Sequence, residues 1–132
     1  MIKKMTIRII FFATFIILYV SSCKKQTAAE SFKTRLLGTW NIDKCTFKNM
    51  STTATVNNYG TYTFTKDGSG SYIYSTNPSA VNNFTWSNTD STITTVRNNQ
   101  STVINVVSNE TTKQQWNTSA NNVQYDYSLT KK

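Results

Sequence analysis

Residues 61–74 read TYTFTKDGSGSYIY, two alternating runs joined by a turn signal. In the first run Tyr62 and Phe64 share one face of a strand, and the second run repeats the pattern with its own tyrosines. Asp-Gly between two alternating runs is a strong signal for a β-hairpin. The stretch therefore predicts two strands and the turn between them, over 59–66, 71–76 and 67–70.

Similar short runs continue downstream, separated by turns rich in Asn, Ser and Asp. The last run alternates most clearly, with Val123, Tyr125, Tyr127 and Leu129 on one face. The run VINVV at 103–107 is apolar on both faces, which indicates either a central strand or an unreadable register. Together the runs predict five further strands, over 83–88, 92–97, 102–108, 112–118 and from 123 onward.

Upstream of the hairpin, residues 39–48 read as the first strand, with Trp40 and Ile42 on one face. Lys44 breaks the alternation and Phe47 changes its parity, so we expect a β-bulge between these two residues. The following NMSTTATVNN, at 49–58, predicts the longest polar connection of the chain.

A short helix is predicted before the first strand, over about 28–37. Thr27 and Glu30 have the spacing of a capping box, in which each side chain binds the other residue's backbone N–H. Phe32 and Leu36 lie four residues apart and form one apolar stripe, and Gly38 is a plausible stop signal.

Eight short strands joined mostly by hairpin-sized turns predict an all-β fold, an up-and-down antiparallel sheet behind one short N-terminal helix. An open sheet would expose two unpaired edges, whereas closure into an eight-stranded barrel removes both. A two-sheet sandwich is the alternative architecture.

Leu37-Gly38-Thr39-Trp40 resembles the start of a lipocalin-like domain, in which a Gly-x-Trp motif opens the first strand behind a short helix. The repeated hairpins also resemble those of compact lipocalin-like lipoproteins from Bacteroidetes-type bacteria. The resemblance implies a barrel closed at one end by the helix and Trp40, with an open mouth beneath a first long loop at 49–58. The family's Thr-Asp-Tyr motif is absent, and Arg35 or Arg97 would have to replace its C-terminal arginine over the tryptophan.

The N-terminus has the order of a bacterial export signal. Basic residues precede IIFFATFIILYV at 9–20, an apolar run of twelve residues, whereas a membrane-spanning helix takes roughly 20. Val20-Ser21-Ser22-Cys23 resembles the bacterial lipobox. The resemblance implies cleavage before Cys23 and its acylation with chains such as palmitate, and more than one chain is needed for stable anchoring.

These signals divide the chain into a signal peptide at 1–22, a lipidated tether at 23–27 and a single domain at 28–132. We expect the domain in the cell envelope, held by lipid at the outer membrane. In such bacteria, acidic residues at this place resemble a surface-export signal. This chain has the basic residues Lys24 and Lys25 there instead, which favours the periplasmic face.

Composition argues against several classes of function. The chain contains no histidine, the commonest general base and metal ligand. Without the three basic residues before the apolar run, eleven of the fourteen Lys and Arg remain against six acidic residues. This positive charge is scattered, whereas nucleic-acid sites need a basic cluster. We expect a non-enzyme with no metal, cofactor or nucleic-acid partner.

Two cysteines are present, and lipid on Cys23 would leave Cys45 without an intrachain partner. An odd cysteine in an exported protein can pair between chains. The favoured alternative is that Cys45 is buried in its strand as a small hydrophobic residue.

The expected function is binding of a small apolar or amphipathic ligand inside the barrel. The alternative is a structural role or an interaction with an envelope protein, in which the aromatic residues merely fill the core. Because many large rings point inward, we expect a pocket that is shallow and near the mouth. The candidate lining residues are Trp40, Tyr62, Phe64, Phe84, Trp86, Tyr125 and Tyr127.

Overall fold

The computed structural model describes residues 26–132, so the predicted signal peptide and Cys23 lie outside the described residues. Within this range one helix and eight strands follow one another: α1 (Ala28–Leu36), β1 (Gly38–Lys48), β2 (Thr53–Phe64), β3 (Ser69–Tyr74), β4 (Asn82–Asn88), β5 (Thr92–Arg97), β6 (Gln100–Asn109), β7 (Lys113–Ala120) and β8 (Val123–Lys131). No helix in this part of the chain is both long and apolar enough to cross a membrane.

The strands form a closed, up-and-down antiparallel barrel. Each strand pairs with its neighbours in sequence, and β1 also pairs with β8 over 40–48. Closure leaves no sheet edge available for pairing with another chain. The predicted barrel and its N-terminal helix are confirmed, and the sandwich alternative is wrong.

Helix α1 closes one end of the barrel, which we call the base. The backbone N–H of Glu30 donates to Thr27 Oγ1 over 3.2 Å, and the Thr27 N–H donates to the Glu30 carboxylate over 2.9 Å. This is the predicted capping box. Phe32 and Leu36 are buried, and the Leu36 carbonyl accepts a 2.8 Å hydrogen bond from Trp40 Nε1. The helix is therefore fixed to the first strand through its apolar face.

Aromatic rings fill the base above the helix. Trp40, Phe64 and Trp116 are almost completely buried, and the Trp116 ring centroid lies 6.4 Å from that of Trp40 and 5.9 Å from that of Phe64. An eight-stranded barrel is narrow enough for side chains to fill it in this way. The surrounding buried side chains are Phe32, Leu36, Ile42, Phe84, Trp86, Ile93, Ile104 and Leu129.

The predicted long connection at 49–58 is wrong. Only 49–52 lie outside a strand, and the residues from Thr53 onward pair with the end of β1. Side chains 53–58 are all exposed, because this part of β2 extends beyond the filled base. A strand with water on both faces has no apolar alternation, so its sequence looks like that of a loop.

The bulge in β1 lies at Asp43 rather than between Lys44 and Phe47. Ile42 pairs with Leu129 of β8, but Lys44 pairs with Ser128, so Asp43 is the extra residue. The shift also interrupts the pairing with β2, where Asn58 adopts a φ of 50°. Beyond the bulge the odd-numbered residues of β1 turn inward, which buries Cys45 and directs Phe47 into the barrel.

The VINVV run is not a central strand, since a closed barrel has none. Ile104 is buried and Val106 packs against the core, whereas Val103 and Val107 are 51% and 61% exposed. The register against β7 shifts between Val106 and Ser108. The run is thus amphipathic, with a bulge that interrupts the strict alternation.

Candidate ligand-binding cavity

The end of the barrel opposite helix α1 is open, and we call it the mouth. The connections at 49–52, 75–81, 98–99 and 121–122 surround it. A cavity of about 410 Å³ lies inside the mouth, with Phe84 and Ile104 among the residues nearest the filled base. The barrel is thus filled in its lower half and hollow in its upper half, which agrees with the expected pocket near the mouth.

Aromatic residues from β1, β2, β3 and β8 line one side of the cavity. Six of the seven tyrosines in the chain are among them. Neighbouring rings pack edge to face, with centroid distances of 5.5 Å for Phe47–Tyr59, 5.2 Å for Tyr59–Tyr74 and 5.0 Å for Tyr72–Tyr74. Such contacts orient each ring and limit its rotation. The members of this aromatic wall are Phe47, Tyr59, Tyr62, Tyr72, Tyr74, Tyr125 and Tyr127.

Polar residues from β5, β6 and β7 line the opposite side. Cross-strand pairs between β5 and β6 change in character from base to mouth: Ile93 faces Ile104, Thr95 faces Thr102, and Arg97 faces Gln100. The cavity therefore becomes more polar toward solvent on this side. The members of this polar wall are Thr95, Arg97, Asn98, Gln100, Thr102 and Thr118.

Phe84 fits between the strands because Gly70 lies beneath its ring. A β-carbon at Gly70 would lie 2.4 Å from Phe84 Cε2 and 2.7 Å from the Thr63 carbonyl oxygen, both impossible contacts. Phe84 also packs against Tyr62 at a centroid distance of 5.9 Å, which joins the core of the base to the aromatic wall. The glycine is therefore required by this close approach rather than by backbone conformation.

Arg97 is the one residue with a formal charge among those that line the cavity. Its Nη1 donates to the Tyr72 hydroxyl over 2.9 Å, and its Cζ lies 5.7 Å from the centre of that ring. Burial raises the pKa of Tyr62, Tyr74 and Tyr127 well above the ordinary tyrosine value. These hydroxyls are therefore protonated and uncharged at neutral pH.

The structure divides the seven residues expected to line the pocket into two groups. Four of them, Tyr62, Phe84, Tyr125 and Tyr127, do line the cavity. The remaining three, Trp40, Phe64 and Trp86, belong to the filled base and do not contact the cavity. Trp86 Nε1 donates a 2.8 Å hydrogen bond to the Ser69 carbonyl oxygen.

Sequence reasoning missed several lining residues, notably Phe47, Tyr59 and Arg97. Phe47 turns inward because of the bulge at Asp43, and Tyr59 turns inward at the irregularity of β2 beside Asn58. A better signal existed for Arg97, since it lies two and four residues after Thr95 and Ile93 and so shares their inner face.

The cavity carries little charge. Neither Asp nor Glu lines it, and residues 26–132 contain no group of three His, Cys, Asp or Glu side chains placed to hold a metal ion. What the cavity offers is aromatic surface, neutral hydroxyl donors and one guanidinium. These groups fit a molecule with an apolar face and a polar end.

No protein-family model matches the chain, and no curated protein sequence matches it. The chain is similar to the crystal structure of a lipocalin-like protein from Bacteroides uniformis, with a TM-score of 0.52. The two chains are 14% identical, and the similarity covers 74% of this chain and 99% of the other. This likeness shows that the fold is lipocalin-like, as the resemblance of the sequence implied.

Proposed function

We propose that this chain is a lipid-anchored, non-catalytic binding protein that takes a small amphipathic molecule into the mouth of its barrel. The observation that carries the proposal is the cavity of about 410 Å³ with one aromatic and one polar wall. Ligand pockets typically measure about 300–1,000 Å³ and combine apolar surface with a few polar groups. A core filled only for stability would leave no such space above Phe84.

Cys23 is the proposed anchor, and its place in the chain sets the orientation of the barrel. Gln26 lies beside helix α1, where its side chain donates to Thr34 Oγ1 over 3.1 Å. Two residues, Lys24 and Lys25, lie between Cys23 and Gln26 in the sequence, so the Cα atoms of Cys23 and Gln26 are at most about 11 Å apart. The base would therefore lie close to the bilayer, and the mouth would open away from it toward the aqueous compartment.

The cavity can be tested by filling it with a side chain. In Thr95→Trp the new indole would occupy the space between the two walls. In the matched control Thr94→Trp the neighbouring side chain points outward, since Thr94 pairs with the exposed Val103. We expect native mass spectrometry of the gently extracted lipoprotein to detect a small bound molecule in the wild type and in Thr94→Trp, but not in Thr95→Trp.

Two outcomes would contradict the binding proposal. One is a wild-type protein that carries no small molecule and binds none added. The other is a Thr95→Trp protein that melts normally and retains the same bound molecule.

The anchor can be tested with Cys23→Ala in the producing bacterium. We expect the wild-type protein to enter the detergent phase on phase separation with a non-ionic detergent, and the variant to remain aqueous or uncleaved. Outer-membrane fractionation and protease treatment of intact cells then test the proposed periplasmic face. A cleaved variant with unchanged membrane partitioning would refute lipid on Cys23 as the tether.

A second candidate function, docking to an envelope protein, is favoured by exposed valines on the outer face of β5 and β6. Val96, Val103 and Val107 are 39%, 51% and 61% exposed. Apolar surface of this kind can mark an interaction site, although single exposed residues are common. Cross-linking in the envelope that captures one protein through this face, together with an empty cavity, would favour this second function.

A further inference from the structure

We propose that the ligand is a carboxylate whose remaining part is a flat, apolar ring system. Arg97 binds the carboxylate group at the mouth of the cavity. The inference rests on the proposed function and names the chemical class that the cavity selects. It is carried by the position of one cation at the mouth, in contact with the aromatic wall through Tyr72.

The charge of the cavity is unbalanced. Its lining residues include Arg97 but no carboxylate, and Arg97 has no acidic partner within 4.0 Å among residues 26–132. The other basic residue at this end, Lys48, is paired with Asp126 over 2.6 Å and does not line the cavity. An anion that entered the cavity would therefore meet a single uncompensated positive charge, which matches a monoanion better than a dianionic phosphate.

The guanidinium is held in place before any ligand arrives. Its Nη1 donates to the Tyr72 hydroxyl and its Cζ lies 5.7 Å from the centre of the Tyr72 ring, which holds the side chain on the inner side of β5. That hydrogen bond uses one of the five N–H donors of an arginine. A planar guanidinium with free donors is suited to bidentate binding of a carboxylate.

The remainder of the cavity fits the apolar part of such a molecule. The rings of the aromatic wall offer faces and edges to a flat hydrocarbon, while Phe84 and Ile104 limit its depth. The hydroxyls of Tyr62 and Tyr74 are neutral and therefore do not repel an anion in the cavity. With Arg97 at the mouth and Phe84 and Ile104 at the deep end, the molecule is oriented with its carboxylate toward solvent.

The test compares two probes of nearly the same shape, the anion 2-naphthoate and the neutral 2-naphthamide. The full-length lipoprotein is reconstituted in phosphatidylcholine vesicles, and binding is measured by calorimetry with protein-free vesicles as the blank. We expect the wild type to bind naphthoate about tenfold more tightly than naphthamide, because the carboxylate forms charge-assisted hydrogen bonds. Raising the salt concentration should reduce the difference, because the site is open to solvent.

Variants of Arg97 locate the effect. Arg97→Gln should weaken naphthoate binding about tenfold and change naphthamide binding less than about twofold, so naphthamide also shows that the cavity is intact. Arg97→Lys keeps the charge but loses the planar pair of N–H donors. Its affinity for naphthoate should lie between those of the wild type and Arg97→Gln. The matched control Lys48→Gln removes the same charge from the same end of the barrel and should leave both affinities within about twofold.

The results distinguish failure of the proposed role of Arg97 from failure of the proposed function. Equal binding of both probes by the wild type, or naphthoate binding unaffected by Arg97→Gln, overturns the role of Arg97 and leaves ligand binding by the cavity intact. Naphthoate binding that Lys48→Gln weakens as much as Arg97→Gln also overturns it, because the cause would then be general charge. Absence of binding of either probe overturns the inference, whereas the proposed function fails only if native mass spectrometry also finds no small molecule bound to the wild type.

Discussion

Lys131 covers Trp40 at the base of the barrel, a position for which the sequence resemblance implied an arginine. Its ammonium lies 5.4 Å from the centre of the Trp40 ring and donates to the Arg35 carbonyl over 2.9 Å. Neither expected substitute is in this place, because Arg35 binds Asn109 and Arg97 lies at the mouth. Register explains the result, since the end of β8 pairs directly with Trp40.

Replacing Lys131 should therefore weaken the closure of the base. Lys131→Ala removes a cation–π contact, a hydrogen bond to the end of α1 and the aliphatic stem that covers the indole, and we expect a loss of about 1–2 kcal/mol in the free energy of unfolding. Lys132→Ala is the matched control, because its exposed side chain should contribute less than about 0.5 kcal/mol. Urea unfolding measures both, and equal effects of the two substitutions would refute the role of Lys131.

Cys45 is buried as a free thiol, which confirms its expected place as a small hydrophobic residue inside a strand. Burial raises its pKa to about 11. Because only the thiolate reacts, we expect an aromatic disulfide reagent to label Cys45 at about pH 8 only after addition of urea. Rapid labelling of the native protein would contradict the burial of this thiol.

At the scale of elements, the two hairpins at the mouth turn on asparagine pairs. Asn98 and Asn99 have φ values of 50° and 61°, and Asn121 and Asn122 have values of 52° and 63°. Positive φ at both central residues is the geometry of a type I′ turn, in which Asn-Gly is the preferred pair. The sequence predicted turns in both places but made them longer than two residues, because the flanking polar residues also resemble loop.

Asn99→Gly should therefore stabilise the protein by about 0.5–1 kcal/mol, because glycine adopts positive φ without steric cost. Asn99→Ala should destabilise it by about 1 kcal/mol for the opposite reason. Asn83→Gly is the control: Asn83 lies within β4 without a positive φ, so the same change should destabilise. Thermal unfolding of the three variants should give these signs, and a loss of stability in Asn99→Gly would contradict the assigned turn.

The strand count and the hairpin order were predictable from sequence. A strand with one solvated and one buried face has polar and apolar residues that alternate with a period of two. The start of β2 was not predictable from sequence, because the residues from Thr53 to Asn58 face water on both sides. The position of the bulge was not predictable either. One extra residue anywhere between Ile42 and Cys45 gives the same change in which residues of β1 point inward. Such choices are decided by pairing with β8, which is distant in sequence.

The same limit applies to the cavity. Alternation shows that Phe64 and Tyr62 point inward, but not that one belongs to the filled base and the other to the cavity. Depth in a barrel depends on the tilt and stagger of all eight strands. Sequence reasoning could therefore predict a pocket near the mouth and inward-pointing rings, but could not separate Trp40, Phe64 and Trp86 from the lining residues.

At the scale of the whole molecule, stability and binding are assigned to opposite ends of the barrel. The base combines the helix with a core of Trp, Phe, Ile and Leu, whereas tyrosines predominate near the mouth. Tyrosine supplies aromatic surface but tolerates partial hydration through its hydroxyl. This distribution has a consequence for stability, because tyrosine hydroxyls ionise at high pH and Trp, Phe, Ile and Leu do not.

The fold should consequently lose stability in alkali. Burial raises the pKa of Cys45 and of Tyr59, Tyr62, Tyr74 and Tyr127 above the values of 9.0 and 10.0 for free thiol and phenol groups. Between the unfolded and the folded pKa the native state keeps protons that the unfolded state releases. The free energy of unfolding should therefore be constant at neutral pH and decline as pH rises, first with Cys45 and then, above about pH 10, with the tyrosines, by about 1.4 kcal/mol per pH unit for each retained proton.

Urea unfolding at a series of pH values, combined with the ultraviolet absorbance of tyrosinate, measures this decline. Tyr62→Phe is the informative variant, because it keeps the ring in the cavity but removes one titrating hydroxyl, and its stability should decline less steeply above about pH 10. Lys132→Ala, which alters an exposed charge at the base, should follow the wild-type slope. A flat profile through pH 11, or identical slopes for Tyr62→Phe and the wild type, would show that solvent hydrates these hydroxyls as fully in the native cavity as in the unfolded chain.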